Sequence, residues 1–356
     1  MGKNCFNEGW RDDMGSEMQP KSFIKNSIFF IILFLVTFYI LFKDNDLSDI
    51  FSVMKNTNKT YIAIAILCTI IYVLCEAINF WSVLKVFKYK KSFLSVLKYP
   101  FVGFFFSSIT PSCSGGQPMQ LYYMSKDDIK VAHGSMAIFL EFAGFQIATI
   151  TLALISFAKN IEFITELGAI IKALIIIGII VNSILLWFML CVIFSRRVTG
   201  IISKIVLWSG KKIRLIKTQR IIKKINALVS EYQEGSVFIR QHKAMMIRIM
   251  ITTFVQVTAL YSVSFWVYKA LGGNSTTIFQ MIQLQSLLSI AVAGLPLPGG
   301  VGANETSFLK IFRIVYPKAI INSALLLTRG ISFYIFMAIS GLVVLFTQLF
   351  QREVRI

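Results

Sequence analysis

Gly294-Leu295-Pro296-Leu297-Pro298-Gly299-Gly300-Val301-Gly302-Ala303-Asn304-Glu305 lies inside one of the most apolar parts of a very apolar chain. Residues 294–302 hold two prolines and four glycines within nine positions. Proline lacks the backbone donor and clashes with the preceding turn, and glycine loses the most backbone entropy, so no helix runs through them. At membrane depth, non-helical backbone is tolerated only where protein buries it or where it lines a wet cavity. A breaker cluster followed directly by a carboxylate therefore points to a site. The plain alternative is a tight inter-helix turn at the membrane surface.

The composition fits that setting. Of 356 residues, 56% are hydrophobic and only 15% charged, which describes an all-α polytopic membrane protein. Lys and Arg number 36 against 17 Asp and Glu. Here the cations cluster in loops between apolar runs, the pattern of cytoplasmic retention and contact with anionic lipid at the inner leaflet. No recognised binding fold accompanies the charge, so nucleic acid is not the expected partner. The five cysteines are scattered without a CxxC pair, and only His133 and His242 are present. That set supplies no metal centre, and no cofactor is expected.

Outward from the opening stretch, apolar runs give spans near 24–42, 60–81, 132–158, 168–194, 244–271 and 319–350, with an apolar helix at 278–293. A helix from Asn304 past Tyr316 is expected after the breakers. The loop holding Lys85, Lys88, Lys90, Lys91 and Lys98 carries no acid and is cytoplasmic by the positive-inside rule, which places both termini on the cytoplasmic side of the membrane. Between Arg196 and Lys243 stand twelve Lys/Arg and two acids, with apolar residues recurring as in amphipathic helices on the inner leaflet. The expected organisation is a tail at 1–23, a transmembrane domain at 24–350 with the basic segment 195–243 inside it, and a tail at 351–356.

A second breaker cluster, Thr110-Pro111-Ser112-Cys113-Ser114-Gly115-Gly116-Gln117-Pro118, occupies the matching place in the first half. If both clusters interrupt re-entrant hairpins, 60–158 and 244–350 each read span, broken hairpin, span, in opposite membrane orientation. About six full spans and two broken hairpins then form an inverted repeat, and such paired interruptions are the sequence pointer to a transporter's binding site. Lys310, Arg313 and Lys318 sit awkwardly, near the outer face: they break the positive-inside rule or line a cavity.

Glu305 has two readings: an N-terminal cap favoured by the helix dipole, or a headgroup contact beside free N–H groups near Gly299, Gly300 and Gly302. Glu141 and Arg329 are the deepest ionisable residues; they pair with each other, or Arg329 holds a lipid phosphate. Gly115, Gly116, Gln117 and Pro118 present backbone donors to an anion or simply turn the chain. Glu76, Tyr122 and Tyr123 read as interface or packing residues. Ser112, Cys113 and Ser114 are nucleophiles by type only, with His133 the one histidine near in sequence.

At these motifs the chain resembles the lysylphosphatidylglycerol synthase transmembrane-region family, the flippase-like domain also found at the N-terminus of multiple-peptide-resistance proteins. The carrying residues are Ser114-Gly115-Gly116-Gln117-Pro118-Met119-Gln120, Glu141, Pro296-Leu297-Pro298-Gly299-Gly300-Val301-Gly302-Ala303-Asn304-Glu305 and Arg329. The resemblance implies a membrane domain that moves aminoacylated or other phospholipids, or glycolipids, between leaflets. In bifunctional relatives a C-terminal domain transfers an amino acid to phosphatidylglycerol. With Ile356 soon after the last apolar run, that domain is not expected here, and the chain acts on lipid made by a separate enzyme. The rival expectation is a membrane subunit of a phosphatidylglycerol lysyltransferase.

Overall fold

A computed structural model describes Lys55 and residues 57–110, 113–212, 219–293, 295, 300 and 302–353; among these there is no β-strand. The span expected at 24–42, the amino-terminal tail and the last three residues lie outside the described residues. In chain order the first half holds α1 (Lys59–Val86), α2 (Phe93–Val96), α3 (Lys98–Ile109), α4 (Gly116–Lys126) and α5 (Val131–Lys159). A middle section follows: α6 (Ile161–Glu166), α7 (Ala169–Phe194), α8 (Arg196–Lys212) and α9 (Gln219–Gln241). The second half is α10 (Lys243–Ala270), α11 (Ile278–Val292), α12 (Ala303–Ile311), α13 (Ile321–Arg329) and α14 (Ile335–Glu353).

Among the described residues, five stretches are long and apolar enough to cross a bilayer: α1, α5, α7, α10 and Ile321–Gln348. At 1.5 Å per residue, a helix of 28 residues spans about 42 Å, more than the roughly 30 Å of hydrocarbon. The starts are capped as the sequence dictates. Asn58 Oδ1 accepts the Thr60 N–H at 3.0 Å, and Thr277 Oγ1 accepts the Gln280 N–H at 3.3 Å. The helices of the two interrupted hairpins differ in kind. α3 has 12 residues, α4 has 11, α11 has 15 and α12 has 9, so each alone is too short to cross.

The halves run in opposite directions around their most extensive helix pair, α1 against α10. Asn58 N–H meets the Ala270 carbonyl at 3.3 Å, Ser262 Oγ meets Cys68 Sγ at 3.4 Å, and Thr252 Oγ1 bonds Asn79 Oδ1. These pairs fix an antiparallel register from one end of α1 to the other. The short helices then cross over: α3 packs along α14, and α11 packs along α5. Corresponding elements thus make corresponding contacts in each half, as an inverted arrangement requires.

Small and amide residues set the closest approaches. A Cβ on Gly178 of α7 would lie 2.2 Å from the Ile290 carbonyl oxygen of α11. Beside it, Gln146 Nε2 donates to Asn182 Oδ1 at 3.0 Å, tying α5 to α7. Small residues and interhelical amide bonds of this kind hold helices together where lipid removes the hydrophobic drive. The outer face of α7 is apolar and exposed, with Ile177, Ile180, Ile184 and Trp187 turned away from the bundle.

The basic segment divides in two. α9 folds back onto α5, burying Tyr232 and Ile239. Lys130, just before α5, forms an ion pair with Glu231, and that bond raises the lysine's pKa. Tyr89 joins the same corner: its hydroxyl accepts the Lys130 N–H at 3.0 Å and contacts His133 Nδ1 at 3.0 Å. Burial raises its phenol. α8 instead leaves Ile201, Ile205 and Trp208 exposed at helical spacing, an apolar stripe beside the cations.

Two expectations change. The helix after the second breaker cluster stops at Ile311 and passes through a 3-10 turn, Phe312–Ile314, instead of continuing past Tyr316. Pro317 follows and the residue before a proline is pushed out of the helical region. The last span is also not uniform, because Gly330–Tyr334 is a π-helical turn.

Candidate functional site: a charged pair between two interrupted hairpins

The first interruption is built by its own side chains. Thr110 Oγ1 donates to the Phe106 carbonyl at 2.6 Å and accepts the Gly115 N–H at 2.9 Å. Cys113 stands in the left-handed region with φ 54°. A Cβ on Gly116 would lie 2.6 Å from the Gly103 carbonyl oxygen, so α3 and α4 touch backbone to backbone there. The Gly115 N–H is therefore held by the Thr110 hydroxyl. Gln117 is half-buried and Pro118 exposed in the first turn of α4, where a missing N–H costs no helical bond.

At the second interruption Gly300 and Gly302 have φ of 65° and 83°. Pro296, Pro298 and Gly299 lie outside the described residues. Glu305, in the first turn of α12, accepts the Gly302 N–H through Oε2 at 2.6 Å. Gly302 has no side chain to return the bond, so this is half of a capping box. The Gly302 N–H is spent on Glu305 and is not a free donor. At φ 83° and ψ −52° an L side chain is strained. Gly302→Ala is expected to cost about 1–3 kcal/mol, read as a lower thermal midpoint in detergent, even though no atom would obstruct the added Cβ.

The other oxygen of Glu305 faces inward. Its Oε1 accepts the Arg329 Nε–H at 3.1 Å, and both side chains are largely withdrawn from the surface, at 20% and 10% exposure. Arg329 ends α13 immediately before the π-helical turn. That turn sets Phe333 under the guanidinium, with Cζ 4.2 Å from the ring centroid. A desolvated cation over an aromatic face gains about 2 kcal/mol. Phe104 of α3 packs on the same Phe333 ring, with centroids 5.8 Å apart, so a helix of the first hairpin reaches the aromatic floor beneath the cation that Glu305 of the second hairpin holds.

Glu141 is elsewhere. The expected Glu141–Arg329 pair does not form, because Glu141 on α5 faces α1 and α10 while Arg329 faces α12. Asn79 Nδ2 donates to Glu141 Oε2 at 2.6 Å and to Thr253 Oγ1 at 2.9 Å. Glu141 Oε1 has no geometrically acceptable hydrogen bond among the described residues, although Gln256 packs beside the carboxyl. Glu76 joins this centre too: its Oε1 accepts from Gln120 Nε2 at 3.0 Å. Gly103 makes room for that amide, since a Cβ there would meet Gln120 Nε2 at 2.1 Å. Glu76 is therefore part of a buried polar network and not an interface residue. Tyr123 is buried packing, with its hydroxyl accepting from Gln348 Nε2 at 3.1 Å.

The chain matches the family model described as lysylphosphatidylglycerol synthase TM region over residues 26–340. The chain belongs to that family. It is also similar to a UPF0104 membrane protein of Pyrococcus horikoshii, 25% identical over 303 residues that cover 82% of this chain and 88% of that protein. A UPF0104 membrane protein of Methanocaldococcus jannaschii matches a shorter part, 30% identical over 103 residues, 29% of this chain and 30% of that one. As a lysylphosphatidylglycerol synthase TM-region protein with several apolar spans, the chain is a multi-pass membrane protein. Within the TM-region fold, Asn79, Thr253 and Gln256 escaped the sequence reading. Their signal was present: Glu76 and Asn79 stand three apart in an apolar run, on one helix face.

Proposed function

We propose that this protein binds phospholipid and moves it between membrane leaflets. The observation that most supports this is the meeting of both interrupted hairpins at Arg329 and Glu305. A guanidinium is planar and permanently charged, and its fork of N–H donors suits a phosphate as well as the carboxylate that holds it here. Movement of a headgroup past this point exchanges Glu305 for phosphate as the partner of Arg329, so the cation is never left bare in a low-dielectric setting. Elsewhere in the same bundle, Glu141 and Glu76 are met by amide and hydroxyl groups instead of cations. α8, with its exposed Ile201, Ile205 and Trp208 beside basic residues, rests on anionic lipid at the inner leaflet.

The test is reconstitution of the purified chain into phospholipid vesicles with a leaflet-specific headgroup label. Redistribution of existing lipid, with no new species by mass analysis, is the expected result. A new lipid species would mean the chain modifies lipid and would overturn the proposal. Unchanged labelling, at an equal amount of folded protein, would also count against it.

A further inference from the structure

Lys310, Arg313 and Lys318 are exposed and lie along one groove of about 560 Å³, together with apolar Leu309, Ile314 and Ile321. Among the described residues none of the three cations forms an ion pair. Arg313 Nη2 donates instead to the backbone carbonyl of Glu166 at 3.3 Å. The groove lies at the end of α10 opposite the basic segment, because Tyr316 packs on Tyr268 with ring centroids 5.4 Å apart. Cations at that end run against the usual distribution of Lys and Arg in membrane proteins.

The corresponding turn in the other half behaves differently. After α4, Asp127 accepts from Lys98 Nζ at 2.9 Å and from the Tyr99 hydroxyl at 2.5 Å, while Lys130 pairs with Glu231. Charges there are neutralised within the protein. In the second half the equivalent turn keeps its cations, and a groove has formed around them. Three exposed cations lining one groove favour an anionic occupant over a neutral one.

We propose that this groove holds the phosphate headgroup of an anionic lipid, with Lys310, Arg313 and Lys318 around the phosphate and Leu309, Ile314 and Ile321 along the glycerol and upper acyl chains. The volume lies within the range of small-ligand sites. The proposal rests on the chain being a lipid-handling protein and adds the charge class of its lipid. A net-positive headgroup, such as a lysylated one, is repelled from this groove, so anionic phospholipid is the species admitted on this face.

Binding separates this proposal from transport. The intact chain in neutral maltoside micelles is titrated with dioctanoyl phosphatidylglycerol, dioctanoyl phosphatidylcholine and inorganic phosphate, and bound lipid is counted by native mass spectrometry. Phosphatidylglycerol is expected to bind at least about tenfold more tightly than phosphatidylcholine. The triple change Lys310→Gln, Arg313→Gln, Lys318→Gln is expected to remove one preferentially bound phosphatidylglycerol from the count, leaving any held by the basic segment, while Lys172→Gln, an exposed lysine at the same end, leaves the count intact. All four side chains are exposed, so folding is preserved. Equal affinity for both lipids, or an unchanged count in the triple variant, would overturn the proposal. Displacement of phosphatidylglycerol by equimolar phosphate would assign the groove to a free anion and sink the lipid. A lipid lost from the count in the triple variant, with no lipid redistribution by the wild-type chain, leaves the groove standing and removes the translocation reading instead.

Discussion

Arg329→Ala is expected to lower stability by about 3 kcal/mol and to abolish lipid redistribution. Removing one member of a buried ion pair costs roughly 3–5 kcal/mol, because the surviving charge stays buried without a partner. The lower end applies here, since Glu305 keeps part of its side chain exposed and still has the Gly302 N–H. The contact of the guanidinium with Phe333 is lost as well. The double change Arg329→Ala, Glu305→Gln separates the two effects. It is expected to restore most of the thermal midpoint in detergent, as the orphaned charge is gone, and none of the transport. Arg329→Lys keeps the charge but not the planar fork, so it recovers stability better than activity. A double variant as unstable as the single one would show that the pair does not carry the stability of the site. Transport surviving in Arg329→Ala would remove the guanidinium from the mechanism.

The second large effect is expected at a glycine outside the site. Gly178→Val puts a branched side chain where even a Cβ would lie 2.2 Å from the Ile290 carbonyl oxygen. The obstructing atom is backbone, so no rotamer change relieves it, and α7 must move off α11. That movement also pulls on Asn182, whose Nδ2 donates to the Gly178 carbonyl at 2.8 Å and whose Oδ1 accepts from Gln146. Overpacking of this kind costs about 3 kcal/mol or more. Heating followed by size-exclusion chromatography checks it, with Gly200→Ala in α8 as the control. Nothing stands within 4 Å of a Cβ there. Alanine is the better helix former, so the control should be neutral or slightly stabilising. Equal melting of the two variants would rule out a tight α7–α11 crossing.

The long helices were legible because apolar length is a strong signal, and their ends came within a few residues except at α1. There the expected end at Trp81 left Glu76 near a surface, whereas the helix runs to Val86 and carries Glu76 into the bundle. Both interruptions were legible from their prolines and glycines. The partner of Arg329 was not. Glu141 and Glu305 are both carboxylates in apolar surroundings, and sequence spacing does not say which helix faces which across the bundle. Of the two readings of Glu305, the cap is seen through one oxygen, while the other oxygen holds Arg329, a partner neither reading named. The bonding of the glycine N–H groups was not legible for a related reason. A loop rich in unpaired donors in sequence had already used two of them internally, through Thr110 and Glu305. The π-helical turn after Arg329 had no sequence mark, although such turns often accompany functional sites.

The crossing of short helices between halves sets a timetable for synthesis. α3 rests on α14, and α11 rests on α5. At ordinary translation speeds, the ribosome delivers α3 on the order of ten seconds or more before α14 exists. For that interval a broken, half-length hairpin waits in the membrane without its packing surface, and cellular insertion machinery or lipid must shelter it. The second hairpin has no such wait, because α5 is already in place when α11 emerges. Early arrest of translation therefore strands the first half in a state the finished protein never visits, whereas the later hairpin folds onto a surface prepared for it.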